Sequence, residues 1–375
     1  MTPNQISDLD LPTRILLGPG PSMVSPRVLH AMTTPLLGHL DPEFLQVLAE
    51  EQVLLRQVFQ TRNELTLSIQ GTGSAGMESA LCNFIEPGDQ ILVAIMGYFG
   101  ERLFEIARRY GANIDRLEKP WGQVFDPTEI EAQLRTKKYK LLALVHAETS
   151  TGALQPGIPE IAASAHRHGA LILLDTVTSL GGIPVEIDRW DVDIAYSASQ
   201  KGLSCPPGLA PLTVNTRARE QLYNRKTPVS NWYLDLTGLE KYWEAPHSYH
   251  HTAPISLHFA LREGLRMVIE EGLDSRFARH RAYAELLWEG LEALDLPPLV
   301  SLENRLATLT TPQVPQSAND DAVRKRLLDE YNIEIAGGFG PLKGKVWRVG
   351  LMGYSSRREN VVLLLSALEE ILNST

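Results

Sequence analysis

Between residues 65 and 214 the chain alternates short, uninterrupted apolar runs with stretches of helical periodicity. Leu65–Ile69, Ile91–Ile95, Leu141–His146, Leu171–Asp175, Asp193–Ser197 and Pro211–Val214 read as strands. Helices are expected between them at Gly76–Phe84, Arg102–Tyr110 and Ile158–His168. Continuous rather than alternating apolarity marks strands covered on both faces, and strand–helix alternation marks a mostly parallel α/β sheet. From about residue 256 the pattern changes. Long amphipathic helices (Phe259–Glu271, Phe277–Leu294) lead to a strand at Leu306–Thr311, a helix at Ala322–Tyr331 and a strand at Val346–Leu351. Ser356 and Glu359 have capping-box spacing for a closing helix. The expected organisation is an arm (1–22), a large α/β domain (23–255) and a smaller α+β domain (256–375).

The net charge of −10 argues against general affinity for nucleic acid or anionic membranes. Two cysteines, Cys82 and Cys205, exclude a disulfide framework and fit a reducing, cytoplasmic setting. No apolar run is long enough to span a bilayer, and no secretory signal opens the chain. His166/His168 and His250/His251 lack the spacing or the acidic neighbours of a metal site, so none is expected.

Gly71, Gly73 and Gly76 follow a strand and open a helix, where free backbone N–H groups favour an anion. Read literally they match a dinucleotide fingerprint, and an NAD-dependent dehydrogenase is one reading. That reading requires an acidic residue at the end of the next strand, where Ile95-Met96-Gly97-Tyr98-Phe99 stands instead. A phosphate cradle and a bare structural turn both remain compatible with the glycines. More information comes from Asp175, which ends an apolar strand, and Lys201, which follows another strand within Ser197-Ala198-Ser199-Gln200-Lys201. Pyridoxal phosphate requires a lysine for its imine, an acid against its ring nitrogen and an anion cradle. One edge of the expected sheet supplies all three.

Seven blocks in order then resemble a known family: LLGPGPS (16–22), FQTRNELTL (59–67), HAETSTGALQP (146–156), LLDTVTSLGG (173–182), SASQKGLSCPPG (197–208), YHHTAP (249–254) and KVWRVGLMG (345–353). From Leu17 to Asn360 the chain is similar to the class V, fold-type I aminotransferases, nearest the alanine–glyoxylate and serine–glyoxylate group. The resemblance implies that Lys201 carries the cofactor and shuttles a proton, and that Asp175 pairs with the ring nitrogen. It implies that Val177 and Phe99 enclose the ring, that Ser150 bonds its hydroxyl, that Thr72, Gly73 and Gln200 hold the phosphate, and that Ser74 touches the cofactor at its phosphate or its ring. Arg348 would clamp the substrate carboxylate, with Gly20 beside the substrate. Tyr249 and Thr252 would reach the partner subunit's cofactor, implying a homodimer with active sites at the interface and small amino acids and 2-oxo acids as substrates. Two positions depart from the family pattern: Phe99 stands where tryptophan is usual, and Ser74 where histidine is usual. A cysteine desulfurase of the same fold would need a thiol on a mobile loop well beyond the lysine, and none follows Cys205. A non-catalytic binding protein would not need Lys201, Asp175 and Arg348 together.

Overall fold

The computed structural model describes residues 9–374. Its centre is a seven-stranded sheet: β1 (Leu65–Gln70), β2 (Gln90–Ile95), β3 (Asn113–Glu118), β4 (Leu141–Val145), β5 (Leu171–Asp175), β6 (Ile194–Tyr196) and β7 (Leu209–Val214). The spatial order is β1-β7-β6-β5-β4-β2-β3, parallel except for β7, which runs antiparallel to both neighbours. Every residue of β1, β4, β5, β6 and β7 is buried. β1, Leu-Thr-Leu-Ser-Ile-Gln, is not the uninterrupted apolar run expected, and it buries Thr66 against Thr213 of β7 and Ser68 against Glu51 through hydrogen bonds. β3 escapes sequence detection because it is an edge strand, Asn-Ile-Asp-Arg-Leu-Glu, whose outward positions are polar.

Helices cover both faces. α1 (Pro42–Phe59), α2 (Gly73–Phe84), α3 (Tyr98–Arg109) and α4 (Ile158–Arg167) belong to the sheet layer. Two of them begin earlier than the periodicity indicated. α2 starts at Gly73, so the glycine-rich turn is itself the first helical turn, and α3 starts at Tyr98, which puts Phe99 on its first turn.

α5 (Ile255–Glu271) is followed by α6 (Leu273–Ala293). Ala260, Leu261, Leu265 and Val268 of α5 pack in the core of the sheet, together with Ile172, Leu174 and Leu209. A separate core begins in α6, where Leu287 and Leu291 meet Trp347, Val349 and Leu368. α5 thus packs with the large sheet, and the second core starts with α6. The second core lies between α6, α7 (Asp320–Tyr331), α8 (Arg358–Asn373) and a three-stranded antiparallel sheet of β8 (Leu309–Thr310), β9 (Ala336–Gly337) and β10 (Trp347–Gly350). Leu17 joins this core, and Ile15–Leu16 pairs in parallel with Ile333–Glu334, so the N-terminal segment is tied to the small domain. The capping box expected at Ser356 is absent. Arg357 precedes the first helical residue, one position too late for Ser356, whose Oγ is buried without a partner.

Candidate active site

β5 delivers Asp175 to the carboxyl edge of the sheet, where ligands of open α/β folds bind. Its carboxylate is 2 % exposed and its two oxygens are both occupied: Val177 N–H donates to Oδ1 at 2.8 Å, and Tyr196 Oη–H donates to Oδ2 at 2.6 Å. Burial pushes the Asp175 carboxyl up to about 6, against the downward pull of the Tyr196 and Val177 hydrogen bonds. Tyr196 was not anticipated. On an apolar strand an aromatic residue reads as core, and only the pairing of β5 with β6, which sets Asp175 opposite Tyr196, reveals its partner.

Lys201 follows β6 by a short loop and reaches the N-terminal segment, where its ammonium donates to the Pro19 carbonyl. Burial, followed by the Arg348 charge, lowers its pKa to about 8, with Asp175 acting in the opposite sense. Gly20 lies against this side chain at φ +119°, and a Cβ there would overlap the Lys201 ammonium and its adjoining methylenes. Position 20 thus requires glycine on two counts, close approach and left-handed backbone.

The first turn of α2 faces the same space. Thr72 makes no side-chain cap, and among the described residues the N–H groups of Gly73 and Ser74 take no partner. Open donors and the helix dipole together favour an anion. Gln200 carries a buried Oε1 without a partner, and Val177 is half-buried beside Gly73. Ser74 Oγ accepts from Arg102 Nη1 at 3.0 Å, and the Arg102 guanidinium lies 4.9 Å from the Phe99 ring centroid. Arg102 was read from the sequence only as the start of a helix.

The Ser150 hydroxyl donates to Glu148 Oε1 at 2.7 Å and accepts from Tyr98 N–H at 3.0 Å. Glu148 is fully buried, and burial raises its pKa against donors from Ser150, Phe99 and Gly100. A side chain at Gly97 would overlap Glu148, so glycine lets the turn settle on this carboxylate. Glu148 belongs to a quoted motif, but nothing local distinguishes its side chain as the anchor of the Phe99 turn.

Arg348 on β10 is 4 % exposed. Its Nε donates to Gly337 O at 2.8 Å, and its guanidinium carbon lies 3.8 Å from the Phe339 ring centroid. Among the described residues its two terminal nitrogens have no hydrogen-bond partner. Burial lowers its pKa to about 10, opposed by the charge of Glu148.

Tyr249 and Thr252 are exposed, Tyr249 at 62 %, with its ring 5.2 Å from that of His39. Among the described residues neither bonds to Lys201, Gly73 or Gln200 of its own chain. Cys205 is buried, with its thiol on the Ala260 carbonyl at 3.5 Å and its pKa pushed up by burial, and Cys82 is pushed up to about 12. Neither has the exposed thiolate character that sulfur chemistry requires.

The family model described as aminotransferase class-V matches residues 16–359. The chain is 41% identical to the (S)-ureidoglycine–glyoxylate transaminase of Bacillus subtilis, over 97% of this chain and 92% of that protein. It is 42% identical to the alanine–glyoxylate aminotransferase of Mus musculus, over 97% and 89% of the two chains. A crystal structure of alanine–glyoxylate aminotransferase from Nostoc sp. superposes with a TM-score of 0.96 at 52% identity, covering 98% of this chain and 97% of that one.

Proposed function

The chain belongs to the class-V aminotransferases, and from that premise we propose that it transfers the amino group of a small amino acid, alanine or serine, to glyoxylate. The products are glycine and the 2-oxo acid of the donor. The observation that carries this reading is one cleft holding a lysine of lowered pKa, a braced buried carboxylate and an arginine whose two terminal nitrogens are open.

The cofactor is pyridoxal phosphate, and the residues present fit it. Among the described residues the open N–H groups of Gly73 and Ser74 at the helix N-terminus suit a phosphate, toward which Gln200 would have to turn its amide N–H rather than the buried Oε1. Asp175 suits a ring nitrogen, because a cation there would relieve the burial that raises its pKa. When bound, this group supplies a protonated ring that accepts the electron pair left by the broken donor Cα–H bond.

Lys201 is the group that moves the proton. With its pKa near 8, its amine gives up the ammonium proton at small cost and can take one from the donor Cα. Asp175, held on both oxygens, cannot swing away from the sheet edge and keeps its negative charge at one place. Phe99 and Val177 would exclude water from the two faces of the site. Arg348 offers the planar fork that a carboxylate requires, and one fork serves donor and acceptor in turn because each carries a single carboxylate next to the reacting carbon. A second carboxylate on the substrate would be buried without a dedicated partner, which is costly.

The two curated relatives and the Nostoc structure share glyoxylate in their names, while two name alanine as donor and one (S)-ureidoglycine, which supports the acceptor more strongly than the donor. The outward position of Tyr249 and Thr252 supports a homodimer in which they serve the partner subunit's cofactor. Among the described residues no helix is long and apolar enough to cross a membrane, and we place the enzyme in the cytoplasm on the strength of its two buried free thiols.

The test is kcat/KM for alanine, serine, aspartate, glutamate and (S)-ureidoglycine at fixed glyoxylate, and then with 2-oxoglutarate as acceptor. Alanine or serine with glyoxylate should lead. A preference for glutamate and 2-oxoglutarate would overturn the glyoxylate reading, and dominance of (S)-ureidoglycine would move the donor to that compound.

A further inference from the structure

Arg348 is held on two sides. Its Nε is spent on Gly337 O, and its face lies on Phe339, two residues further along the same loop. Phe339 in turn meets Tyr98, the first residue of α3, with ring centroids 4.9 Å apart and planes at 43°. Tyr98 continues the ladder: Phe99 meets it edge-on at 5.6 Å, and the Arg102 guanidinium lies 5.2 Å from its ring centroid. Its backbone N–H is pinned by Ser150. A continuous series of planar groups therefore runs from the small domain to the large one, with a cation at each end. Only the stretch from Phe339 to Tyr98 crosses between the domains.

We infer that Tyr98 and Phe339 form an aromatic latch across the substrate cleft, one that holds the Arg348 fork in a single plane and sets the cleft width to short side chains. The inference rests on the transaminase reading for the identity of the substrates, though not for the carboxylate itself. A guanidinium fixed at Nε and stacked on a ring has lost the rotations that would otherwise compete with two-pronged binding, so less freedom is lost when a carboxylate arrives. The stacking also keeps water off one face of the guanidinium while leaving both Nη groups at its edge open. Because the rings come from different domains, any ligand too large for the cleft has to part them. Phe339 and Tyr98 are thus positioning residues that act through Arg348 and through cleft width.

The experiment uses the holoenzyme and propionate, a carboxylate without an amino group, with its Kd read from the shift it causes in the cofactor absorbance. Phe339→Leu keeps apolar bulk and removes the π face. It should weaken propionate and raise KM for alanine and glyoxylate by roughly fivefold, with the loss falling on KM rather than kcat. Phe339→Tyr should recover most of that affinity, a rescue that mere hydrophobic filling would not predict. Tyr98→Leu should raise the ratio of leucine to alanine turnover about threefold or more by opening the cleft. The latch is refuted if Phe339→Leu binds propionate like the native enzyme, if Phe339→Tyr is as impaired as Phe339→Leu, or if Tyr98→Leu leaves the leucine-to-alanine ratio unchanged. A native enzyme that binds propionate and shows this pattern, yet fails to transaminate glyoxylate, would sink the functional reading and leave the latch standing.

Discussion

The phenol of Tyr196 donates a 2.6 Å hydrogen bond to Oδ2 of Asp175 at a sheet edge where both side chains are almost wholly buried. With Val177 N–H on the other oxygen, the acid is fixed in position, and the two donors oppose the burial that favours its neutral form. Tyr196→Phe removes one charge-assisted bond, worth about 1.5 kcal/mol, so kcat should fall roughly tenfold. The acid limb of the kcat–pH profile should move to higher pH, since losing the donor raises the Asp175 pKa. A pH profile identical to that of the native enzyme would separate Tyr196 from the chemistry.

Asp175 also sets a conflict between stability and function in the cofactor-free protein. Its pKa is raised from 3.8 to about 6, so folding favours the neutral acid. The stability this group contributes is complete below about pH 4 and is lost as pH rises through about 6, a loss of about 3 kcal/mol by neutral pH. Asp175→Asn escapes that loss and gives up about 1 kcal/mol of hydrogen bonding. The cofactor-free variant should therefore be more stable than the native chain by about 2 kcal/mol at pH 7.5, and the gain should shrink toward pH 5. Urea unfolding at the two pH values reads this directly. The same variant should retain cofactor poorly and lose turnover.

Borohydride should fix the cofactor irreversibly to Lys201, as peptide mapping of the reduced protein would show. Lys201→Ala should be colourless after dialysis and slower by at least about a thousandfold, the range that loss of a positioned acid–base group commands. An adduct on any other lysine overturns the assignment.

Arg348→Lys replaces a planar fork with a point charge. It should cost about 2 kcal/mol in kcat/KM, or roughly thirtyfold, and should do so equally for alanine, serine and glyoxylate, because all present the same carboxylate. Unequal losses across these substrates would show that Arg348 touches something other than the shared group.

Tyr249 and Thr252 allow a complementation test of the homodimer. Neither Lys201→Ala nor the Tyr249→Phe/Thr252→Ala double variant should be active alone. Mixed by subunit exchange, each heterodimer should regain one native-like site, because the intact Lys201 would draw its Tyr249 and Thr252 from the other chain. No recovery after exchange is verified by mass would assign these residues to their own chain.

Much of this architecture is written in local pattern. Apolar-rich runs identified six of the seven strands of the main sheet, because burial on both faces favours apolar residues at every position, with Thr66, Ser68 and Thr213 as hydrogen-bonded exceptions. The position of Asp175 at the end of one such run, and of Lys201 shortly after another, followed from the same pattern. So did the open turn at Gly73, since helix N-termini and glycines announce themselves over a few residues. Where local pattern is weak, detection failed, as at the polar edge strand Asn113–Glu118 and at Ser356, whose capping spacing is correct while the helix begins too late.

The partners of these groups belong to the tertiary structure. Tyr196 meets Asp175 only through the register of two strands, Ser150 receives the Tyr98 N–H only where the Gly97 turn settles on Glu148, and Phe339 reaches Tyr98 only when distant segments pack. Local sequence determines which residues can be buried, extended or helical, because those preferences depend on a residue and its near neighbours. It does not determine which buried polar group finds which, because those pairings form between segments far apart in the chain and depend on how whole layers settle together.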